Sequence, residues 1–274
     1  MNMLARSTST SFVLSIPCRV WWRPRNPESP IDYGRAIDAA CWTNPKAGSV
    51  PHERRGRLED EFALGSRGPS LAALVRGAGM VLVAGGLLLV VGTVLHPSQE
   101  TPVTILETEV RLVGSHAVSV VSYVLVLLGL PALYVAESQR MGRLGLTGFL
   151  MAFAGTALLA ISSMFGFVAP VLAAEAPPTL DAINVYLPVV VLNGFAVVGF
   201  IAGFVILGVA VARSTVFPRW SGILVAMGAP LFLVGAAIAL SVSPAFWFVA
   251  ILGSLALGSG LAWFGSRMWA KPGL

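Results

Sequence analysis

Two histidines and a carboxylate are the residues of this chain best suited to chemistry. His96, Glu109 and His116 fall near one end of the apolar segments described below. Imidazole with carboxylate is a donor set for zinc or iron. The same groups can bind a quinone head or relay a proton. Ser115, Ser119, Ser122 and Tyr123 surround or follow His116. Helical spacings of three and seven put His116, Ser119 and Tyr123 on one face. If the segment starts early, Glu109, seven residues before His116, joins that face. The plainer reading leaves His116 neutral, bonded to a serine or a backbone carbonyl, with His96 ending a helix ahead of Pro97. On that reading no cofactor is expected.

Other chemistries lack their residues. The remaining histidine, His52, lies far upstream, so the paired buried histidines of a four-helix haem protein are missing. Gly258-Ser-Gly260 has neither the spacing nor the later histidine of an intramembrane serine protease. There is no HExxH, and Gly77-Ala-Gly79 is followed by Leu82 rather than the third glycine of a dinucleotide loop.

The elements that must position these residues are membrane helices. Of the 274 residues, 56% are hydrophobic and 11% charged, against about 25% charged in soluble domains. Too few charges remain to solvate a surface. Six runs are long enough for the ~20 residues that a spanning helix needs: 77–95, 112–136, 144–172, 185–212, 220–241 and 244–265. None contains Asp, Glu, Lys or Arg. Inside lipid each must satisfy its own backbone, so all six are expected to be helical. The third is longer than required and is expected to tilt, or to end in an interfacial turn near Pro170. Pro230 is expected to kink the fifth, eased by Gly228.

The basic residues give an orientation. Arg76, Arg140, Arg143, Arg213, Arg219, Arg267 and Lys271 fall on one side of the spans, and only Arg111 on the other, with Glu100, Glu107, Glu109, Glu175 and Asp181. Basic loops stay in the cytoplasm. The expectation is therefore a multi-pass plasma (inner) membrane protein with both termini cytoplasmic and the histidines outside. Tyr134, Trp220 and Trp269 would mark the inner interface, Tyr186 and Trp247 the outer. Basicity at helix ends needs no nucleic-acid partner.

Residues 1–70 form a polar leader holding 10 of the 18 Lys+Arg and 7 of the 13 Asp+Glu. The leader is expected to be disordered and cytoplasmic, with one amphipathic turn at 58–64 and with Cys18 and Cys41 as reduced thiols. Upstream sequence read through a misplaced start codon has the same character, so the leader is also a candidate for exclusion from the natural product. Residues 71–274 are the six-helix domain.

The odd spans open alike. Arg76 precedes Gly79 and Gly85 at the offsets that separate Arg219 from Gly222 and Gly228, and Arg143 precedes Gly148 and Gly155 less regularly. The even spans close on Gly129, Gly208 and Gly260. Three helical hairpins in an all-α bundle fit that pattern. Gly199/Gly203 and Ser254/Gly258 are small-residue pairs that seat a neighbouring helix, within the chain or on a second copy.

Together Val94-Leu-His-Pro97, Gly129-Leu-Pro-Ala-Leu-Tyr134, Gly142-Arg-Leu-Gly145 and Phe217-Pro-Arg-Trp220 give residues 74–270 a resemblance to a family of uncharacterised bacterial six-helix integral membrane proteins. The resemblance implies the fold and no activity. The sequence is read as a non-catalytic membrane component or partner-binding subunit, in contact with lipid. The alternatives are a small-solute transporter or channel, and a metal- or quinone-binding redox protein using His96 and His116.

Overall fold

The structure, a computed structural model, describes residues 71–214 and 217–270. The leader, with Cys18, Cys41, His52 and the 58–64 segment, lies outside the described residues. No strand occurs among those described. The helices are α1 (Leu71–Leu95), α2 (Pro102–Glu107), α3 (Glu109–Ser163), α4 (Ala169–Glu175), α5 (Pro177–Val185), α6 (Leu187–Arg213), α7 (Arg219–Ser241) and α8 (Trp247–Ala270). They include six stretches long and apolar enough to cross a membrane, among them Glu109–Ala136 in the first arm of α3 and Arg140–Glu175, which runs from its second arm to the end of α4. The chain is thus a multi-pass helical membrane protein.

The reason these helices suit lipid is visible along α1. Gly79, Gly85, Gly86, Gly92 and Thr93 are buried, while Leu74, Met80, Leu87, Val91 and Val94 are exposed. Small residues let backbones meet inside, and large apolar ones face outward where a soluble helix would carry charge. Round the bundle each long helix packs on its neighbours: α1 on α3, α3 on α6, α6 on α7, α7 on α8, and α8 back on α1. The ring encloses Leu130, Phe200, Phe204, Leu257, Leu261 and Phe264, all buried.

Glycines set these approaches. A methyl group on Gly79 or Gly265 would strike the backbone of the other's helix, and the same holds for Gly208 and Gly222. The hairpin pattern is reproduced in part. In the first and third hairpins the leading glycine (Gly79, Gly222) meets the last helix of the preceding hairpin, and the second (Gly85, Gly228) meets its own partner helix. The middle hairpin departs, since Gly148 and Gly155 both meet α6. Gly199 and Gly203 pack on Gly155 and Ala152, and Gly258 on Gly86, beside buried Ser254. Both small-residue pairs are used within the chain.

The two arms of α3 are separated at Gly142, whose φ of 56° and ψ of −150° form the turn between the second and third spans. A side chain there would meet no neighbour, so only the backbone demands glycine. Gly142→Ala should cost about 1–3 kcal/mol, the scale of a side chain held in an essentially glycine-only conformation, readable as a lower midpoint in detergent unfolding.

The third span is not one helix to its end. It stops at Ser163, passes through a 3-10 turn at Met164–Phe167 and resumes as α4, with Pro170 in the first turn. The excess length predicts a tilt or a terminal turn near Pro170; the turn occurs at Met164–Phe167, and the span continues beyond it to Glu175. Helix α7, by contrast, runs through Pro230 without a break, and Gly228 is occupied by its contact with Leu257. Two short helices, α2 and α5, have no counterpart in the apolar runs. With α4 they roof one end of the bundle through a small cluster of Ile105, Leu112, Ala169, Ala173 and Leu180. Of the expected interfacial aromatics, Trp220, Trp269 and Tyr186 are exposed, whereas Tyr134 stacks on Phe149 and Trp247 on His96.

Candidate metal centre

The roofed end carries the histidines. His96 follows the last turn of α1, and its position is fixed by a long-range cap. The Arg111 guanidinium donates to the carbonyl of Leu95 at 2.6 Å and lies 3.4–3.5 Å from those of His96 and Val94. These are the carbonyls that a helix end leaves unpaired, and a cation there also suits the helix dipole. Arg111, the one basic residue out of place in the charge pattern, thus has a local task.

Trp247, opening α8, stacks on the His96 ring with centroids 5.1 Å apart, and its indole N–H donates to the Thr93 carbonyl at 3.2 Å. His116 lies one ring away, 5.1 Å from His96 between centroids. Behind His116 is Gly166, where any Cβ would collide with the imidazole ring. The 3-10 turn within the third span is therefore shaped around His116.

The carboxylate between the two rings belongs to Glu100. Its Oε1 is 3.0 Å from His96 Nε2 and 3.9 Å from His116 Nε2. One ligand atom from each of the three residues falls within 4.8 Å of the others. Glu109 is exposed at the start of α3 and is not a member of this group. The Glu100 side chain is 38% exposed. Partial desolvation by itself would raise its carboxyl, but hydrogen bonds and charges from His116 and His96 outweigh it and lower the value to about 2. Glu100 is an anion at neutral pH.

The His96 ring is oriented for ligation. Its Nδ1 lies 2.7 Å from the Pro97 carbonyl, which can only accept, so Nδ1 carries a proton and Nε2 faces Glu100. Metal-bound histidines are commonly held this way, by a second-shell bond from the other ring nitrogen. With Nδ1 protonated, Nε2 and the carboxylate oxygen would be two lone pairs at 3.0 Å. Something positive must lie between them, either a second proton or a metal ion. Ligands ~2.0–2.1 Å from a tetrahedral zinc stand about 3.3 Å apart. The Glu100 oxygen is 3.0 and 3.9 Å from the two histidine nitrogens, and the whole group falls within 4.8 Å, so the side chains would have to draw together on an ion. His116 Nδ1 is buried and has no hydrogen-bond partner among the described residues.

Two cavities meet at this group, and both are lined by Glu100 and His116. The smaller, of about 140 Å³, runs past Ser119 to Tyr123 under Trp247. The polar face expected on the second span is thus assembled, but the next void inward, between Tyr123, Leu89, Phe200 and Leu257, is only about 10 Å³. That is near the volume of one water probe, so the middle of the bundle is filled. The serines there serve structure: Ser115 donates to the Leu112 carbonyl, and Ser122 reaches across to that of Gly85. The larger cavity, of about 350 Å³, lies beneath the roof helices beside the third and fourth spans.

Both histidines were singled out from the sequence; the structure adds Glu100, Trp247 and Gly166 beside them and leaves Glu109 apart. His96 and Glu100 stand four apart, which on a helix would have been a signal, but Pro97 removes the helical reading. No protein-family model, curated protein or solved structure matches this chain.

Proposed function

We propose that this protein is a membrane component that binds one divalent transition-metal ion of the zinc class through His96, Glu100 and His116. The observation that carries the reading is the convergence of three ligand atoms within 4.8 Å, with His96 held in the tautomer that ligation needs. Three protein ligands leave a fourth position open, the arrangement of metal sites that meet an exogenous group. The basic residues gathered at the opposite ends of the spans support cytoplasmic termini and a site on the outer side of a plasma membrane.

The test is metal content of the purified full-length protein, followed by cobalt substitution read as a visible absorption band. About one equivalent per chain is expected. Glu100→Gln, which keeps the shape and removes the charge, should weaken binding by about 10- to 100-fold, the scale typical of losing a metal-site hydrogen-bonding or charge partner. Wild-type protein that takes up no zinc or cobalt would overturn the reading, as would a Glu100→Gln variant with unchanged affinity.

A further inference from the structure

The larger cavity has two kinds of wall. Its lining includes the polar residues Glu100, His116, Asn184 and Asn193 together with apolar ones, Ile161, Phe165 and Leu192 among them. Ser162 Oγ donates to Asn193 Oδ1 at 2.7 Å, which fixes the amide and leaves its NH₂ group to donate. That NH₂ has no partner among the described residues. Donors left unpaired at membrane depth cost several kcal/mol in hydrocarbon, so a ligand that supplies an acceptor is favoured there.

The cavity also lies beside surface that a membrane would cover. Ile161 and Leu192, on the third and fourth spans, are 58% and 40% exposed. From Val185 to Phe195 every residue except Val189 is exposed, so the first turns of α6 have little protein around them. Further along, at Gly155 and Gly203, the same two spans are in backbone contact. The cavity's lining residues Ile161 and Leu192 thus sit where α3 and α6 are exposed, while further along the same two helices close on each other at glycine contacts.

We infer that this cavity binds an amphiphile from the bilayer that carries a carbonyl oxygen at the polar end of a long apolar tail. The oxygen takes the open metal position or the Asn193 NH₂, and the tail leaves past Ile161 and Leu192 into lipid. The inference rests on the metal reading for the first contact and on the cavity alone for the second. Fatty acyl groups and prenylated quinones share this chemistry.

The experiment uses purified full-length protein in detergent, loaded with cobalt, and two probes, oleate and decylubiquinone. Binding is read as a rise in Tm and as a change in the cobalt absorption band. At least one probe should bind. Asn193→Leu should weaken it by about tenfold, one buried hydrogen bond's worth, with metal content unchanged. Ile161→Trp, which narrows the cavity and spares every polar group, should weaken it as well. Response to oleate alone assigns an acyl ligand, and response to decylubiquinone alone a quinone. Bound metal with no response to either probe, or a response that both variants retain in full, overturns this inference and leaves the metal reading intact. If no metal binds, the metal reading fails. The cavity is then decided on the metal-free protein, where binding sensitive to Asn193→Leu upholds it and insensitive or absent binding overturns it.

Discussion

If the proposed metal binding holds, replacing His116 by alanine should abolish it, and replacing Gly166 by alanine should come close to doing the same without touching a proposed ligand. The first follows from ligand count. With His116 gone, His96 and Glu100 remain, and two protein ligands hold zinc weakly; affinity should fall by at least about 100-fold. The second follows from space. An alanine Cβ at position 166 would sit within the His116 ring as now placed, against its Cγ, Cδ2 and Nδ1. These atoms are near the root of the side chain, so a small end-of-chain adjustment does not relieve the clash. Either the ring turns away from Glu100 or the 3-10 turn moves, and the ligand atoms lose their convergence. An affinity loss of about 10- to 100-fold is expected, measured by competition with a chromophoric chelator. Gly166→Ala with wild-type affinity would mean that the ring has room which the structure denies it.

A larger effect on the fold itself is expected at Gly203. Its Cβ would overlap the backbone of Met151 and Ala152, where α6 presses on the second arm of α3. Backbone does not rotate out of the way, so Gly203→Leu must separate the two helices. The cost should be about 3 kcal/mol or more, the upper range for overpacking a tight interface, and van der Waals contact is the main force between helices in lipid. Gly194→Leu is the matched control, on the same helix with nothing within 4 Å of its Cβ, and should change stability by less than about 0.5 kcal/mol. Unfolding by a denaturing detergent, followed by circular dichroism, compares the two. Equal midpoints would contradict the packing described for α3 and α6.

Two properties were legible in the residues alone. The apolar runs set the number of spans, because lipid tolerates neither charge nor unpaired backbone over that length, and all six recur as helices. Small residues marked the helix contacts, although which helix each one met was not readable. Gly199 and Gly203 gave a neighbour's width but not its identity, since a glycine pair accepts α3 and a second copy equally well. A turn in the third span was also anticipated, from excess length, but it falls at Met164–Phe167 and not at the end of the span.

The site was only half legible. His96 and His116 stood out because imidazole is rare in this chain and costly near lipid, and that much the sequence by itself determined. Which carboxylate joins them was decided by tertiary structure. Glu109 had the better helical register with His116, yet it starts α3 and does not join the two histidines. Glu100 had no register at all, because Pro97 ends α1 before it. The segment after that end turns back over the histidines, with Arg111 tying the α1 terminus to α3 and Trp247, about 150 residues downstream in sequence, stacking on His96. Helical periodicity relates residues within one element. The candidate group draws its members from a helix end, a loop and a second helix, and only the packing of those pieces brings the three side chains within 4.8 Å of one another.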